Sequence, residues 1–449
     1  METTGMNRGD LRICMVAYAC NPCGDGEHWL GWGWAVVAER LGRVWLVTPP
    51  KHEMEIRAAV GHLDIVPVFV ALPGWLVTIS EQMGLVGAWL RKLVWNEKAR
   101  RVIRRLNSEV RFGIIHQTTF HSFRVPFSGR GLGVPSVWGP IAGGESVPPG
   151  FGHYLGKAAK GEACRRWLNR ITLMLPWIRQ SFNECSVILV SNRTTRDFFP
   201  SRYRSKCQVL LPNSVRDEDL LPLSEEPRST NPAVILYVGS CVEQRGLRLL
   251  FEAMTKLDSS RVRLVVVGAG PALAGWKGRA EELELGERVS FLGMIPPSEV
   301  RLWYDRATVF VFPSLRDGGG SGLMEAMTRG VPLVCLDWGG PAEMVDESCG
   351  IRVQVGSPEA TVAGLRQAIL DLTTDSDHAR KLGLAARSRA ASQFTWAGKE
   401  KHLAEIYLQI TPPGSVWKTL MPAGSRVPAG GPWLHSREPL GRVGRGPTG

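Results

Sequence analysis

Phe312-Pro313-Ser314-Leu315-Arg316-Asp317-Gly318-Gly319-Gly320-Ser321-Gly322-Leu323-Met324-Glu325-Ala326-Met327 reads as the end of a strand, a glycine-rich turn and the start of a helix. Glycines let the backbone approach a ligand closely, and the unpaired amides of the helix's first turn point towards negative charge, so the segment predicts an anion cradle. Asp317 and Glu325 are eight positions apart, one at the loop entrance and one about a turn inside the helix. Carboxylates beside a phosphate cradle suit sugar hydroxyls, from which they accept hydrogen bonds without titrating. The plainer alternative is a loop whose glycines only turn the chain and whose Glu325 caps the helix.

Outward from this stretch the chain repeats one pattern. Val234–Val238, Val262–Val267, Val289–Leu292, Thr308–Phe312, Pro332–Leu336 and Ile351–Val353 are short β-rich runs separated by helical segments, which predicts a doubly wound parallel sheet. A first series, Arg12–Tyr18, Val44–Thr48, Ile65–Val70, Gly113–Gln117, Pro135–Trp138, Ser186–Val190 and Gln208–Leu211, predicts another. The expected fold class is therefore α/β, two Rossmann-like halves facing across a cleft. Residues 1–215 form the first domain, 216–232 a linker rich in charge, proline and serine, and 233–393 the second. A helix over 394–410 is placed to cross back to the first domain, and the Gly/Pro/Arg-rich stretch 411–449 reads as a disordered tail. Ligands of such sheets sit beyond the carboxyl ends of the strands, so the cleft is where chemistry is expected.

Composition sets the class of partner. Of 449 residues, 54 are Lys or Arg and 42 Asp or Glu, a formal charge of +12 that draws anions such as phosphates or acidic lipid. Hydrophobic residues at 44% and charged residues at 21% supply a globular core and exclude wholesale disorder. Nine scattered cysteines do not form a disulfide framework, and the lone Cys20/Cys23 pair has no second pair to complete a zinc site, so a reducing, cytoplasmic setting is expected. Ile13–Cys20 reads as a buried first strand, not a signal peptide. Ile65–Leu90 is long enough to cross a bilayer, but Pro67, Pro73, Gly74, Glu81 and Gln82 argue for burial or contact with a membrane surface. Trp89–Arg105 and Arg165–Arg179 combine tryptophan with basic residues and suit peripheral contact with anionic lipid. No nucleic-acid-binding motif accompanies the charge.

The glycine-rich stretch resembles the acidic-x7-acidic signature of retaining GT-B glycosyltransferases of the family-4 kind, glycosyltransferase group 1. Asp317 stands where glutamate is commoner, and Glu325 matches the second acid. Gly330-Val331-Pro332-Leu333-Val334 and Gly339-Gly340-Pro341-Ala342-Glu343 look like two further elements of that family. The resemblance implies that Glu325 binds the nucleotide ribose, that Asp317 faces the donor sugar, and that Gly318, Gly319, Gly320 and Ser321 hold sugar and diphosphate. Gly239-Ser240-Cys241-Val242-Glu243-Gln244-Arg245-Gly246 is similar to the family's G-R-x4-K-G, with Arg245 in the lysine place as a bidentate diphosphate ligand. Ser240 replaces an arginine that stabilises the leaving diphosphate; losing such a donor costs roughly 3–4 kcal/mol if nothing substitutes. A catalytically weakened nucleotide-sugar or glycan binder is thus one alternative reading, and a GT-B sugar-nucleotide epimerase another.

In the first half, Gly24-Asp25-Gly26-Glu27 looks like the family's entrance loop, which assigns Gly26 and Glu27 to the donor side; a simple helix cap is the rival for Glu27. His116 fits the family's sugar-contacting histidine better than His121, although a structural histidine competes at both positions. Trp138-Gly139-Pro140-Ile141-Ala142-Gly143-Gly144-Glu145 resembles an acceptor-side turn, which assigns Glu145 there, and Arg124 suits an anionic acceptor. Asn213 is read as domain-boundary architecture. The triplets Asp217-Glu218-Asp219 and Asp375-Ser376-Asp377 read as surface acids, because a diphosphate metal needs carboxylates converging at a cleft. The resemblance implies hexose transfer from a UDP- or GDP-sugar to a glycan or lipid-linked acceptor with retention. His116, Asp317 and Arg245 carry it, with no metal and no cofactor besides the nucleotide sugar as co-substrate.

Overall fold

The computed structural model describes residues 11–24, 26–220, 222–223, 228 and 231–411. Asp25 and the stretch expected to form a tail, beyond Thr411, lie outside the described residues.

Both series of β-rich runs form parallel sheets. The first is β1 (Arg12–Ala17), β2 (Arg43–Thr48), β3 (Ile65–Phe69), β4 (Ile114–Thr119), β5 (Ser136–Ile141), β6 (Val187–Val190) and β7 (Cys207–Val209), in the spatial order β3-β2-β1-β4-β5-β6-β7. The second is β8 (Ala233–Val238), β9 (Val262–Val267), β10 (Val289–Gly293), β11 (Val309–Phe312), β12 (Leu333–Leu336) and β13 (Ile351–Val353), ordered β10-β9-β8-β11-β12-β13. In each the chain builds outward on one side and then starts again on the other. The switch points lie between β1 and β4 and between β8 and β11, where crevices open beyond the strand ends.

Alternation along β1 divides the first domain into two cores. Cys14 and Val16 face Trp95, Ala99 and Ile103 of the helix Gly84–Val110, while Ile13, Met15 and Ala17 face Trp34 and Ala38 of the helix Gly26–Glu39. Coverage on both faces is why these strands are near-continuously apolar. The terminal helix Trp396–Ile410 places Leu403, Ile406 and Tyr407 in that second core, so the chain does cross back to the first sheet.

Traffic also runs the other way. Val147, Phe151, Tyr154 and Leu155 leave the first sheet after β5 and are buried with β8 and the helix Leu247–Thr255. The Tyr154 hydroxyl donates to Glu252 Oε2 at 2.7 Å. The stretch Ile65–Leu90 resolves into β3, the helix Gly74–Gln82 and the start of Gly84–Val110. Among the described residues no helix is long and apolar enough to cross a membrane.

Candidate active site

After β11 the chain turns through the glycines into the helix Ser321–Thr328. Gly320 caps that helix at φ +46°, a left-handed conformation that a side chain strains. Gly340 supports the turn from below: a Cβ there would lie 2.5 Å from the Gly318 carbonyl carbon, and its amide donates to the Asp317 carbonyl at 2.8 Å. The amides of Gly318, Gly320 and Ser321 donate to no described residue, which leaves the cradle open to an anion.

The two groups at the cradle's mouth hold each other. Asp317 Oδ1 accepts the Gly319 amide at 3.0 Å, and its other oxygen forms an ion pair with Arg245. The Arg245 guanidinium lies 5.3 Å from the Phe312 ring centre, and burial holds its pKa below the usual value. Asp317 is thus turned onto its own loop and onto Arg245 and does not project freely towards sugar hydroxyls. Gly239 also differs from expectation: its amide donates to the Val267 carbonyl at 3.0 Å, so it shapes the loop and has no amide left for a phosphate. Ser240 is exposed, its hydroxyl bonded to no described residue and its carbonyl accepting the Tyr237 hydroxyl at 3.1 Å.

Glu325 lies further along the helix, on a cavity of about 370 Å³. Its Oε2 accepts the Tyr304 hydroxyl at 3.1 Å. Water reaches the carboxylate, yet the surrounding walls desolvate it enough to push its pKa above the ordinary carboxylate value. Ser321, Met324 and Thr328 share that wall; Gly26, Glu27, Trp29, Leu30 and His121 form the opposite one. Asn213, Ser214, Val215, Arg216 and Asp219 close the side. The volume lies within the range of small-molecule sites.

The opposite wall is organised by Glu27 in the first turn of its helix. Glu27 Oε1 accepts the His121 amide at 3.1 Å and lies 3.7 Å from the ring Nδ1. The other ring nitrogen, Nε2, is buried without a partner. Burial lowers the pKa of this ring, and Glu27 opposes that shift.

Two further sequence-based assignments are corrected, those of His116 and Glu145. His116 falls inside β4, which runs on to Thr119, and is 0% exposed. Its Nδ1 lies 2.9 Å from the Tyr407 hydroxyl and its Nε2 2.9 Å from the Gly139 carbonyl, so it ties the terminal helix to the first sheet and does not reach the cavity. His121, five residues on in the loop, faces the cavity instead. Glu145 is also occupied: it accepts the Gly143 amide at 2.8 Å, Asn192 Nδ2 at 2.9 Å and Thr195 Oγ1 at 2.8 Å, and so shapes the turn. Arg124 keeps solvent contact and donates from Nε to Asn169 Oδ1 at 2.8 Å.

Asn213 and Asp219 line the cavity although the sequence placed them in boundary and surface. Only their position beside the cleft, at the seam between two strand series, was a signal. Among the described residues, no three His, Cys, Asp or Glu side chains converge as a metal site.

With this geometry in place, residues 223–389 match the family model described as glycosyl transferases group 1. The match lies in the carboxyl-terminal domain and spans less than half of the chain. The chain is 29% identical over 197 residues, 42% of its length, to an alpha-maltose-1-phosphate synthase of Mycolicibacterium smegmatis, and the match spans 51% of that protein. It is 28% identical over 247 residues, 51% of its length, to the GDP-mannose-dependent alpha-(1-6)-phosphatidylinositol monomannoside mannosyltransferase of the same organism, spanning 64% of that protein. The matched stretches thus span about half to two thirds of these relatives. The solved structure of Anabaena HepE in complex with UDP superposes with a TM-score of 0.55 at 12% identity, covering 89% of this chain and 100% of that one. Two Rossmann-like domains facing across a cleft is the GT-B architecture, and the chain has it.

Proposed function

We propose that the protein transfers a hexose from a UDP- or GDP-sugar to a glycan or lipid-linked acceptor, with retention of configuration and without a metal. The observation that supports this reading best is the cavity between the domains. One wall carries Glu325 and Ser321, which starts the helix behind the open amide cradle, and the other carries His121 with a free Nε2. Glu325 accepts from the ribose hydroxyls, the amides of Gly318, Gly320 and Ser321 receive the diphosphate and sugar, and His121 donates to or accepts from a sugar hydroxyl. Arg245 exchanges Asp317 for a phosphate oxygen, which frees Asp317 to accept from the sugar. The leaving phosphate takes the acceptor proton, so no protein nucleophile is assigned. Closure of the cleft excludes water from the activated sugar.

The acceptor is met at an anionic membrane surface. Trp75, Ile79, Met83, Val86 and Trp89 of the two helices after β3 are exposed, as are Trp167, Met174 and Trp177. Exposed Arg101, Arg104, Arg105, Arg166 and Arg170 lie on the same helical segments, an arrangement complementary to acidic lipid. Co-sedimentation with phosphatidylglycerol vesicles but not with phosphatidylcholine vesicles is expected; equal recovery with both refutes this part.

Calorimetric titration with UDP and GDP tests the donor site, followed by transfer from radiolabelled nucleotide sugars. One nucleotide should bind, and Glu325→Ala should weaken that binding by at least about tenfold. Failure of both nucleotides to bind, or unchanged affinity in Glu325→Ala, refutes the proposal.

A further inference from the structure

Three arginines meet where the two domains touch: Arg124 after β4, Arg165 on the helix Ala159–Met174 and Arg316 beside the glycine loop. Two of them share one carboxylate, Glu162. Arg165 donates from Nε and one terminal nitrogen to Glu162 at 3.0 and 2.9 Å, and to the carbonyls of Gly143 and Glu145. Arg316 pairs with the same Glu162 across the domain boundary. Glu145, the other carboxylate nearby, is filled by the Gly143 amide, Asn192 and Thr195.

Arg124 has no such partner. Its Nε is held at 2.8 Å by Asn169 Oδ1, and Asn169 is itself 1% exposed and anchored by Nδ2 to the Gly143 carbonyl at 2.6 Å. No carboxylate forms an ion pair with Arg124, and its two terminal nitrogens donate to no described residue. The guanidinium is therefore clamped by one edge while the opposite, two-nitrogen edge stays open. That edge suits bidentate capture of a tetrahedral or planar oxyanion. Desolvation and the charges of Arg165 and Arg316 lower its pKa, while Glu145 and Glu162, both engaged by other partners, oppose that shift.

The place fits an acceptor better than a donor. The turn to which Asn169 is anchored abuts the donor loop, since a Cβ on Gly318 would lie 3.4 Å from Ala142 Cβ and 3.5 Å from Glu145 Oε1. Arg124 itself stands in the first domain, on the loop after β4 that also carries His121 to the cavity.

Resting on the transfer reading above, we infer that the acceptor carries a phosphate and that Arg124 reads it, with Asn169 as its positioning residue. A phosphate here sets the acceptor hydroxyl against the donor sugar and supplies the missing counter-charge of the three-arginine cluster.

The test keeps donor and acceptor sites apart. With the donor site saturated by whichever of UDP and GDP binds, the full chain is titrated with glucose 6-phosphate against glucose, and with dodecyl phosphate in neutral micelles against the micelles alone. Binding of a phosphate-bearing probe, at least tenfold tighter than its neutral counterpart, is expected. A response to glucose 6-phosphate indicates a soluble sugar phosphate, and one confined to dodecyl phosphate a lipid-linked phosphate. Arg124→Gln should lose that preference while its nucleoside-diphosphate affinity is unchanged, and Arg124→Lys should regain part of it. Absence of any phosphate preference in the parent, or its persistence in Arg124→Gln, overturns the inference. Loss of nucleotide binding in the parent would instead strike the donor assignment.

Discussion

His116 and His121 separate a structural role from a chemical one, and replacing each gives opposite outcomes. The hydrogen bonds of His116 fix its tautomer: the Gly139 carbonyl can only accept, so Nε2 carries the proton, and Nδ1 accepts from Tyr407. His116→Leu nearly preserves volume but leaves a hydroxyl and a carbonyl buried without partners, at ~1–3 kcal/mol each. A net loss of about 3 kcal/mol is expected, or a fall in Tm of roughly 6–12 °C for a domain of this size. Burial also lowers the pKa of this ring to about 4. Between the unfolded value near 6.5 and the folded value, only the unfolded chain binds the proton, so stability falls as pH drops through that window. The pH-dependent part amounts to ~3 kcal/mol and should vanish in the variant. Denaturant unfolding from pH 7 to pH 4 reads both effects, and calorimetry with UDP or GDP should find nucleotide affinity unchanged. His121→Ala should do the reverse, keeping stability within about 1 kcal/mol while sugar transfer drops at least tenfold. A His116→Leu protein that melts like the parent yet loses transfer would refute the argument, as would an unaltered acid slope.

Glu325→Ala should weaken nucleoside-diphosphate binding by ~10–100-fold, the worth of a hydrogen bond to a charged group, without lowering Tm, because the carboxylate is held desolvated in the free protein. Ser240→Arg should raise the transfer rate by at least about tenfold, since the position is exposed on the cleft loop and lacks the cation that stabilises a leaving diphosphate; an unchanged kcat would show that another group already serves. Lys399 is buried beside Trp34 and, among the described residues, bonds only the Leu211 carbonyl, and its pKa falls to about 7. Above that value the unfolded chain holds a proton the folded chain lacks, so stability should rise between pH 7 and pH 10 by on the order of 4 kcal/mol, and Lys399→Met should flatten that rise.

The strands were legible because parallel sheets covered on both faces need unbroken apolar runs, and every run read in the sequence is a strand here. The donor loop was legible because its glycines answer local demands that a sequence displays: a left-handed cap at Gly320 and a backbone contact at Gly340. What stayed hidden depends on long-range register. Reading the strand as ending at Gln117 sets His116 near the cleft, but β4 runs on to Thr119 and the His116 ring is tied to Tyr407 and Gly139, so the loop residue His121 meets the cleft. The partners of Glu145 and Asp317 were hidden too, because Asn192, Thr195 and Arg245 lie some 50 or more residues away in the chain.

Segment 147–158 changes which parts of the chain can move together. A hinge confined to the linker would carry all of residues 1–215 as one body, but Phe151 is wholly buried in the second core and Tyr154 bonds Glu252 there. The neighbouring helix Ala159–Met174 belongs to the other side, holding the Gly143 turn through Arg165 and Asn169. Opening the cleft must therefore break the Arg316–Glu162 pair and the bond from Trp338 Nε1 to the Ser146 carbonyl, at 2.8 Å, before it disturbs either core. Both contacts flank the turn that meets the donor loop. Donor and acceptor phosphates that add contacts across this part of the boundary therefore favour the closed arrangement.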